Sequence, residues 1–464
     1  MEEIMKKMIS MVMAALLIAC AAWGCSQEPV PIMQNFSDNV EESPISGELR
    51  LALFQGGYGI EFWDELIKEF NKLYPQVEVE YKISPKIGEI ISPEIIAGDI
   101  PDLIYLNQAQ EDGVTLKMIK EHRLLELTDV FKSKSLDQAG TVEEQILDGL
   151  LDTTFYKPYG DDKIFLAPFN TAVSGLIYNQ TLFNEKGWKT PSTWDEFFAL
   201  GDRCKKEGRY LLVYPGMSPG YLNQLLLPAI ASGGGKEQLY DFFSYQEGCT
   251  QTPEMEKILD NIERISQGEY ILPGCSSMDH TQAQAAMMQG QALFVPSAIW
   301  IENEMRHAQR EGGDSFEYGL LTSLKLEEGD PAYVSLQPEQ IYIPSGAKNP
   351  EAAKIFLKFL YTDTAVSLFG EHASGIMATK GAVEKVKGYL SNGIYNMCSV
   401  LSNPEVKTFV QSYQTPRAGS DFDVIDDIFE NGMKQVLGGR MTAEEWGNNM
   451  EQSFSKVRRE LIAP

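Results

Sequence analysis

Between Gly47 and Leu106 the chain alternates short apolar runs with segments of helical period, and this alternation restricts its fold more than any other feature. Gly47 opens a strand, ELRLALF, of alternating character. Gln55 to Gly59 forms a loop, and Ile60 to Leu73 then places Phe62, Trp63, Leu66, Ile67 and Phe70 at helical spacing. Val77 to Ile83 is a second strand and Ile90 to Ala97 a helix; Gly98-Asp99-Ile100-Pro101-Asp102 leads into a third strand, Leu103 to Leu106. Strand, helix, strand, helix, strand is the pattern of an α/β fold with a parallel sheet and right-handed crossovers. Ligands on such sheets lie beyond the carboxyl ends of strands. That rule points to Gly57-Tyr58 and to Asn107-Gln108.

The pattern returns downstream. Ile164 to Pro168 and Phe169-Asn170-Thr171 precede a strand at Gly175 to Tyr178, and Asn179 to Gly187 is a turn-rich helix. Thr193 is the expected N-cap of the next helix, with Glu196 completing a capping box. Tyr210 to Tyr214 is a strand followed by a Pro/Gly loop carrying Tyr221 and a helix from about Asn223; Gly233-Gly234-Gly235 reads as a loop. Gly290-Gln291 turns into the strand Ala292 to Val295, and Pro296-Ser297 leads to a helix start with Trp300. A lone tryptophan at such a junction sets an aromatic face at the mouth of a cleft, the alternative being a core tryptophan. A strand at Gln340 to Ile343, a helix from Pro350 to Tyr361 and two or three further helices complete the chain.

The N-terminus has a different character. Lys6 and Lys7 precede the uncharged, mostly apolar run Met8 to Ala22, too short for a comfortable membrane span and without a stop-transfer flank. It reads as an export signal ending near Cys20 or Cys25, and residues 26–46, polar and aperiodic, read as a tether. Of the remaining cysteines, Cys204, Cys249, Cys275 and Cys398, none forms a zinc-like pair with another cysteine or a histidine, so no metal or cofactor is expected. Cys249 and Cys275 are candidates to pair; buried free thiols are the alternative. With 66 acidic against 39 basic residues, a net charge of -27 argues against nucleic acid and against an anionic membrane surface as partners.

Six stretches, taken together and in order, resemble one family. They are the Gly-Tyr loop after the first strand, Gly98-Asp99-x-Pro101-Asp102, Gly175-Leu176-Ile177-Tyr178-Asn179, Pro191-x-Thr193-Trp194-Asp195-Glu196, Gly290-Gln291-Ala292 with Trp300, and Ile343-Pro344-x-x-Ala347-x-Asn349-Pro350-Glu351-Ala352-Ala353. The chain resembles the extracellular solute-binding lipoproteins of bacterial carbohydrate ABC importers, the group that includes maltose-binding protein. Tyr214-Pro215-Gly216 to Tyr221 and Trp300 to Met305 further resemble the branch that binds N-acetylglucosamine or chitobiose. The resemblance implies an α/β fold of two lobes joined by hinge-crossing strands, with a carbohydrate held in the cleft and delivered to the permease by lobe closure. One lobe would comprise residues 47–170 and 340–387, the other 171–339 and 388–464. It also implies a signal peptide, residues 1–25, with Cys25 (or Cys20) lipidated and anchoring the chain to the outer face of the cytoplasmic membrane.

A sugar offers apolar C–H faces and a rim of hydroxyls, so its pocket needs aromatic platforms with side chains that accept and donate. Trp300 matches the family's stacking tryptophan and Tyr221 a second platform. Tyr58, Asn107, Gln108 and Asn170 stand at strand ends or at the hinge. Glu302 either binds hydroxyls or caps a helix, Asp102 is expected to order its own turn, and Phe422-Asp423 occupy the stretch of a C-terminal cleft aromatic. Trp63, Trp188, Trp194 and Trp446 read as structural. The rival reading is a secreted serine hydrolase, because Gly216-Met217-Ser218-Pro219-Gly220 is a G-x-S-x-G match between a strand and a helix, with Asp241, Asp279, His280, His307 and His372 downstream. Pro219 argues against it, since the residue after the serine normally gives its backbone N–H to the oxyanion and proline has none.

Overall fold

A computed structural model describes residues 45–56, 58–106, 113–305, 316–413 and 424–461, all within the compact unit Glu41–Pro464. Among them ten strands join in one sheet: β1 (Gly47–Phe54), β2 (Val77–Ser84), β3 (Leu103–Leu106), β4 (Ala167–Asn179), β5 (Tyr210–Leu212), β6 (Ala292–Ala298), β7 (Tyr318–Leu321), β8 (Ala332–Tyr342), β9 (Ile376–Met377) and β10 (Val406–Val410). The order β2-β1-β3-β8-β4-β6-β5 carries β10 beside β8, and β7 and β9 beside β4.

β1 pairs parallel with both β2 and β3, as the strand–helix alternation requires, and β5 pairs parallel with β6. The sheet as a whole is mixed. The long strands β4 and β8 run antiparallel to each other, β8 to β3, and β4 to β6 and β7. These two strands link the β1–β3 group to the β5–β7 group. Between Pro168 and Thr171 their register slips, so that Phe169 and Asn170 stand opposite the single residue Glu339. This is a β-bulge, which re-aims a side chain at the place it interrupts.

Packing explains the first helix. Glu61–Leu73 buries Phe62, Trp63, Leu66, Ile67 and Phe70 on one face. Trp63 stacks on Phe169 of β4 (5.2 Å, 22°), and Phe70 meets Phe356 and Phe359 of the helix Pro350–Phe359 at 5.0 and 5.6 Å. Trp188, Trp194 and Trp446 are buried with Trp63, as expected of structural tryptophans.

Several local expectations change. Asp102 does not order its own turn. Its buried carboxylate accepts the backbone N–H groups of Arg50 (2.9 Å), Lys348 (2.7 Å) and Asn349 (2.8 Å). Asn349 in turn donates to the carbonyls of Ser46 and Glu48 (both 3.0 Å), so two of the recognised stretches form one knot at the start of β1. Thr193 caps the helix Trp194–Lys205 through the Glu196 N–H, but the Glu196 carboxylate returns to Ser192, one residue upstream of a standard capping box. Gly233-Gly234-Gly235 is not a loop: it lies inside the helix Asn223–Phe243, where Gly235 (φ +76°) breaks the helical path. Cys204, Cys249, Cys275 and Cys398 are all buried free thiols, so Cys249 and Cys275 do not pair.

Candidate functional site

Two groups of side chains flank the crossing of β4 and β8. The first hangs on the end of β6. The N–H of Ile299 donates to the Val173 carbonyl of β4 at 3.2 Å, which fixes where Trp300 begins the short helix Ile301–Glu304. Trp300 is half-buried. Its ring stands perpendicular to that of Tyr221 (6.3 Å, 89°), which projects from the 3₁₀ turn Pro219–Leu222. His280, the first residue of the helix His280–Met288, lies parallel to the Tyr221 ring (6.3 Å, 15°), with Nε2 3.8 Å from Glu304 Oε1. Glu304 also accepts from the buried Gln284 amide (2.7 Å). Burial, followed by the Glu304 charge, pushes the Tyr221 hydroxyl up to about 12, with Trp300 acting in the opposite direction.

The second group sits at the bulge. Asn170, 1% exposed, donates from Nδ2 to Glu339 Oε2 at 2.8 Å, and the Tyr105 hydroxyl donates to the same oxygen. Tyr58, half-buried in the loop after β1, packs on Phe369 (5.0 Å); burial, then Glu339, then Cys398, raises its pKa above the phenol range. Burial raises Tyr105 for the same leading reason. Asn170 Oδ1 and the neighbouring Thr171 hydroxyl are buried without hydrogen-bond partners. Asn170 and Val173, where the two groups attach to β4, are three positions apart, a rise of roughly 10 Å along the strand.

Buried polar atoms without partners are rare in folded proteins and call for an explanation such as a ligand, a water or stored strain. Glu302 belongs to this set. It is 8% exposed, and its unpartnered Oε2 faces Gly393 in the first turn of the helix Asn392–Cys398; a Cβ at Gly393 would come within 2.4 Å of it. Burial, followed by the Glu302 charge, pushes the Cys398 thiol up to about 12 and raises the Tyr318 hydroxyl. Glu302 Oε2 thus lies against a helix start without accepting a hydrogen bond from it.

Trp300 and Tyr221 are therefore brought together, and Asn170 donates to Glu339, whose charge also acts on Tyr58. Asn107, Gln108 and Phe422 lie outside the described residues, as do Cys20 and Cys25. Sequence reading singled out neither Glu339 nor Tyr105, weighed His280 only for the hydrolase, and included Glu304 only within Trp300 to Met305.

The serine-hydrolase arrangement finds no support. Ser218 is exposed ahead of the 3₁₀ turn, with no histidine or carboxylate hydrogen-bonded to its hydroxyl among the described residues. His280 is engaged with Tyr221 and Glu304. Gly216 has a packing reason, because a Cβ there would come within 2.3 Å of the Ser276 carbonyl oxygen.

Long antiparallel strands linking two parallel-stranded groups, with aromatic and polar residues beside the crossing, define a two-lobed ligand-binding fold. The family model described as bacterial extracellular solute-binding protein matches residues 56–367, and the chain belongs to that family. It is 27% identical over 398 residues to the diacetylchitobiose binding protein NgcE of Streptomyces coelicolor, covering 84% of this chain and 82% of that one. It is 22% identical to the multiple sugar-binding protein of Streptococcus mutans, over 69% and 72% of the two chains. Among solved structures, apo RafE of Streptococcus pneumoniae superposes with a TM-score of 0.66 at 20% identity, covering 90% of this chain and all of the other. A chitin oligosaccharide binding protein gives 0.63 at 17%, over 89% and 99%. At those identities the structures establish the fold. No helix among the described residues is long and apolar enough to cross a membrane.

Proposed function

We propose that the protein captures a carbohydrate outside the cytoplasm and hands it to the permease subunits of an ABC importer. The observation that carries this reading is the aromatic corner of Trp300 and Tyr221, tied to β4 at Val173 through the Ile299 N–H, a few positions along that strand from the bulge where Asn170 Oδ1 and the Thr171 hydroxyl lack partners. A sugar's C–H face stacks on such rings while its hydroxyls meet amide and carboxylate groups. The names of the relatives, binders of diacetylchitobiose and of multiple sugars, support the same ligand class.

In this reading residues 47–170 and 340–387 form one lobe and residues 171–339 and 388–464 the other; the boundaries at 170 and 340 coincide with the register slip. The ligand binds Trp300 and Tyr221 on one side and Tyr58 and Asn170, with Asn107 and Gln108, on the other, Glu302 and Phe422 completing the set. Contacts made by both lobes favour the closed form, a shift of population that requires no chemistry. Residues 1–25 direct export, Cys25 (or Cys20) carries the lipid, and residues 26–46 span the gap to the folded part.

A thermal-shift screen against mono- and oligosaccharides, with N,N′-diacetylchitobiose among them, tests the function, because binding to the folded state raises the melting temperature. A rise with one sugar class and no turnover of that sugar is expected. No rise with any saccharide, combined with ester hydrolysis abolished by Ser218→Ala, would replace this reading with the hydrolase.

A further inference from the structure

The Trp300 side of the cleft is charged in one sense. Glu304 lies beside the aromatic corner, its side chain 31% exposed, and Glu302 is buried two residues earlier on the same turn. The charged side chain acting on Tyr221 is Glu304, and the one acting on Tyr318 and on Cys398 is Glu302. Among the described residues no lysine or arginine comes within ion-pair distance of either carboxylate; the basic group within that distance of Glu304 is His280, at 3.8 Å. Gln284, 1% exposed, spends its amide N–H₂ on Glu304 and Ser297 and leaves Oε1 without a donor. Of the buried polar atoms without partners at and near the corner, Gln284 Oε1 and Glu302 Oε2 are acceptors and Trp300 Nε1 is a donor. A sugar hydroxyl can accept from the indole N–H and donate to the two acceptors, whereas an anion can only accept and meets a negative field in a partly desolvated site, where charges act more strongly than in water.

Resting on the carbohydrate reading, we infer that this wall is a charge filter: it admits neutral, hydroxyl-rich saccharides and rejects phosphorylated ones, with Glu304 as the residue that sets the discrimination. Glu304 does so through its field and its hold on Gln284, not through shape, since a carboxylate and a carboxamide have nearly the same outline. At an effective dielectric of about 20, two unit charges roughly 8 Å apart oppose each other enough to change affinity about thirtyfold.

The test is calorimetric titration of the full protein with two matched pairs, N,N′-diacetylchitobiose against its 6-phosphate and maltose against maltose 6′-phosphate. The neutral member that binds is expected to do so at least about thirtyfold more tightly than its phosphate. Glu304→Gln is expected to shrink that ratio severalfold. Raising the salt from about 0.1 M to 1 M, which shortens the screening length from about 10 Å to 3 Å, is expected to shrink it in the unaltered protein. A purely steric rejection would ignore both changes. If Glu304→Gln fails to fold, as judged by circular dichroism, the salt series on the unaltered protein decides alone. Phosphates binding as tightly as their neutral partners, or a ratio unmoved by both variant and salt, overturns the filter and leaves the carbohydrate reading intact. Absence of binding by either neutral sugar, and by every saccharide of the thermal screen, overturns both.

Discussion

Asn170 and Glu339 meet across the two strands that tie the sheet together, Nδ2 to Oε2 at 2.8 Å, where two residues of β4 stand opposite one of β8. The bulge turns Asn170 toward the carboxylate, and the Tyr105 hydroxyl reaches it from β3. One side chain on β8 thereby joins three strands.

That relationship sets the first prediction. Asn170→Ala removes a hydrogen bond to a carboxylate but also an amide oxygen that has no partner, so the loss of stability should be modest, about 1–2 kcal/mol. Asn170→Asp is nearly the same shape yet faces Glu339 with a second acceptor. It should cost at least about 1 kcal/mol more, because a buried carboxylate beside another lacks the donor that the amide supplied. Urea denaturation of the two variants measures the order. Equal stabilities would mean that the contact does not hold the strands.

Much of this architecture is legible in the sequence, and the parts that are not share a physical cause. The helix Glu61–Leu73, β2 and β3 follow from their patterns because the helix buries one face, β2 alternates in sequence and β3 is short and wholly apolar; β1 alternates over Glu48 to Leu51 and then runs apolar and buried to Phe54. β4 reads as only Gly175 to Tyr178, whereas it runs from Ala167 to Asn179 with nearly every residue buried; a strand covered on both faces shows no alternation. Of β8 only the end is read, as Gln340 to Ile343; its earlier part is hidden by Ser335, Gln337, Pro338 and Glu339, which look like a turn and are instead the polar residues of a crossing strand. Glu339 disappears with it. Trp300 and Tyr221 are found because each follows a strand in a Gly/Pro-marked loop, while their right-angled pairing and the His280–Glu304 contact depend on segments distant in sequence. The break at Gly235 is missed as part of a helix because Leu239, Phe242 and Phe243 beyond it supply the packing that continues the helix.

Trp300→Ala should weaken saccharide binding by about 1–3 kcal/mol, the worth of stacking a sugar face on a large ring together with the apolar area lost. Because Trp300 is half-buried at the start of a four-residue helix, the fold should persist. Calorimetric titration with the sugar found in the thermal screen, alongside a circular-dichroism melt, separates the two effects. An unchanged affinity would remove Trp300 from the site.

Asp102 should matter for stability and not for affinity. Its carboxylate accepts three backbone N–H groups from two segments more than two hundred residues apart in sequence. Asp102→Ala strands all three donors and should lower the unfolding free energy by about 2–4 kcal/mol. Asp102→Asn, which keeps one acceptor oxygen, should cost less. Denaturation midpoints give the order, and a saccharide titration should return the parental affinity for any variant that folds.

Cys204, Cys249, Cys275 and Cys398 should be silent in the native protein. Burial is the leading cause that pushes their thiols up, to about 11 for Cys204 and Cys275 and about 12 for Cys249 and Cys398. At pH 8 the reactive thiolate is therefore scarce, and access is blocked as well. Ellman's reagent should leave these four unlabelled until denaturant is added, after which all four should react without prior reduction. The sign of the stability effect follows from the raised folded-state values. Each thiol contributes fully below its unfolded pKa, near 8.5, and that contribution is lost as the pH climbs toward 11 to 12. Melting temperatures should accordingly fall between pH 9 and pH 11. Replacing Cys398 with Ala or Val should flatten its share of that fall, and an unaltered slope would show that its thiol titrates as if exposed.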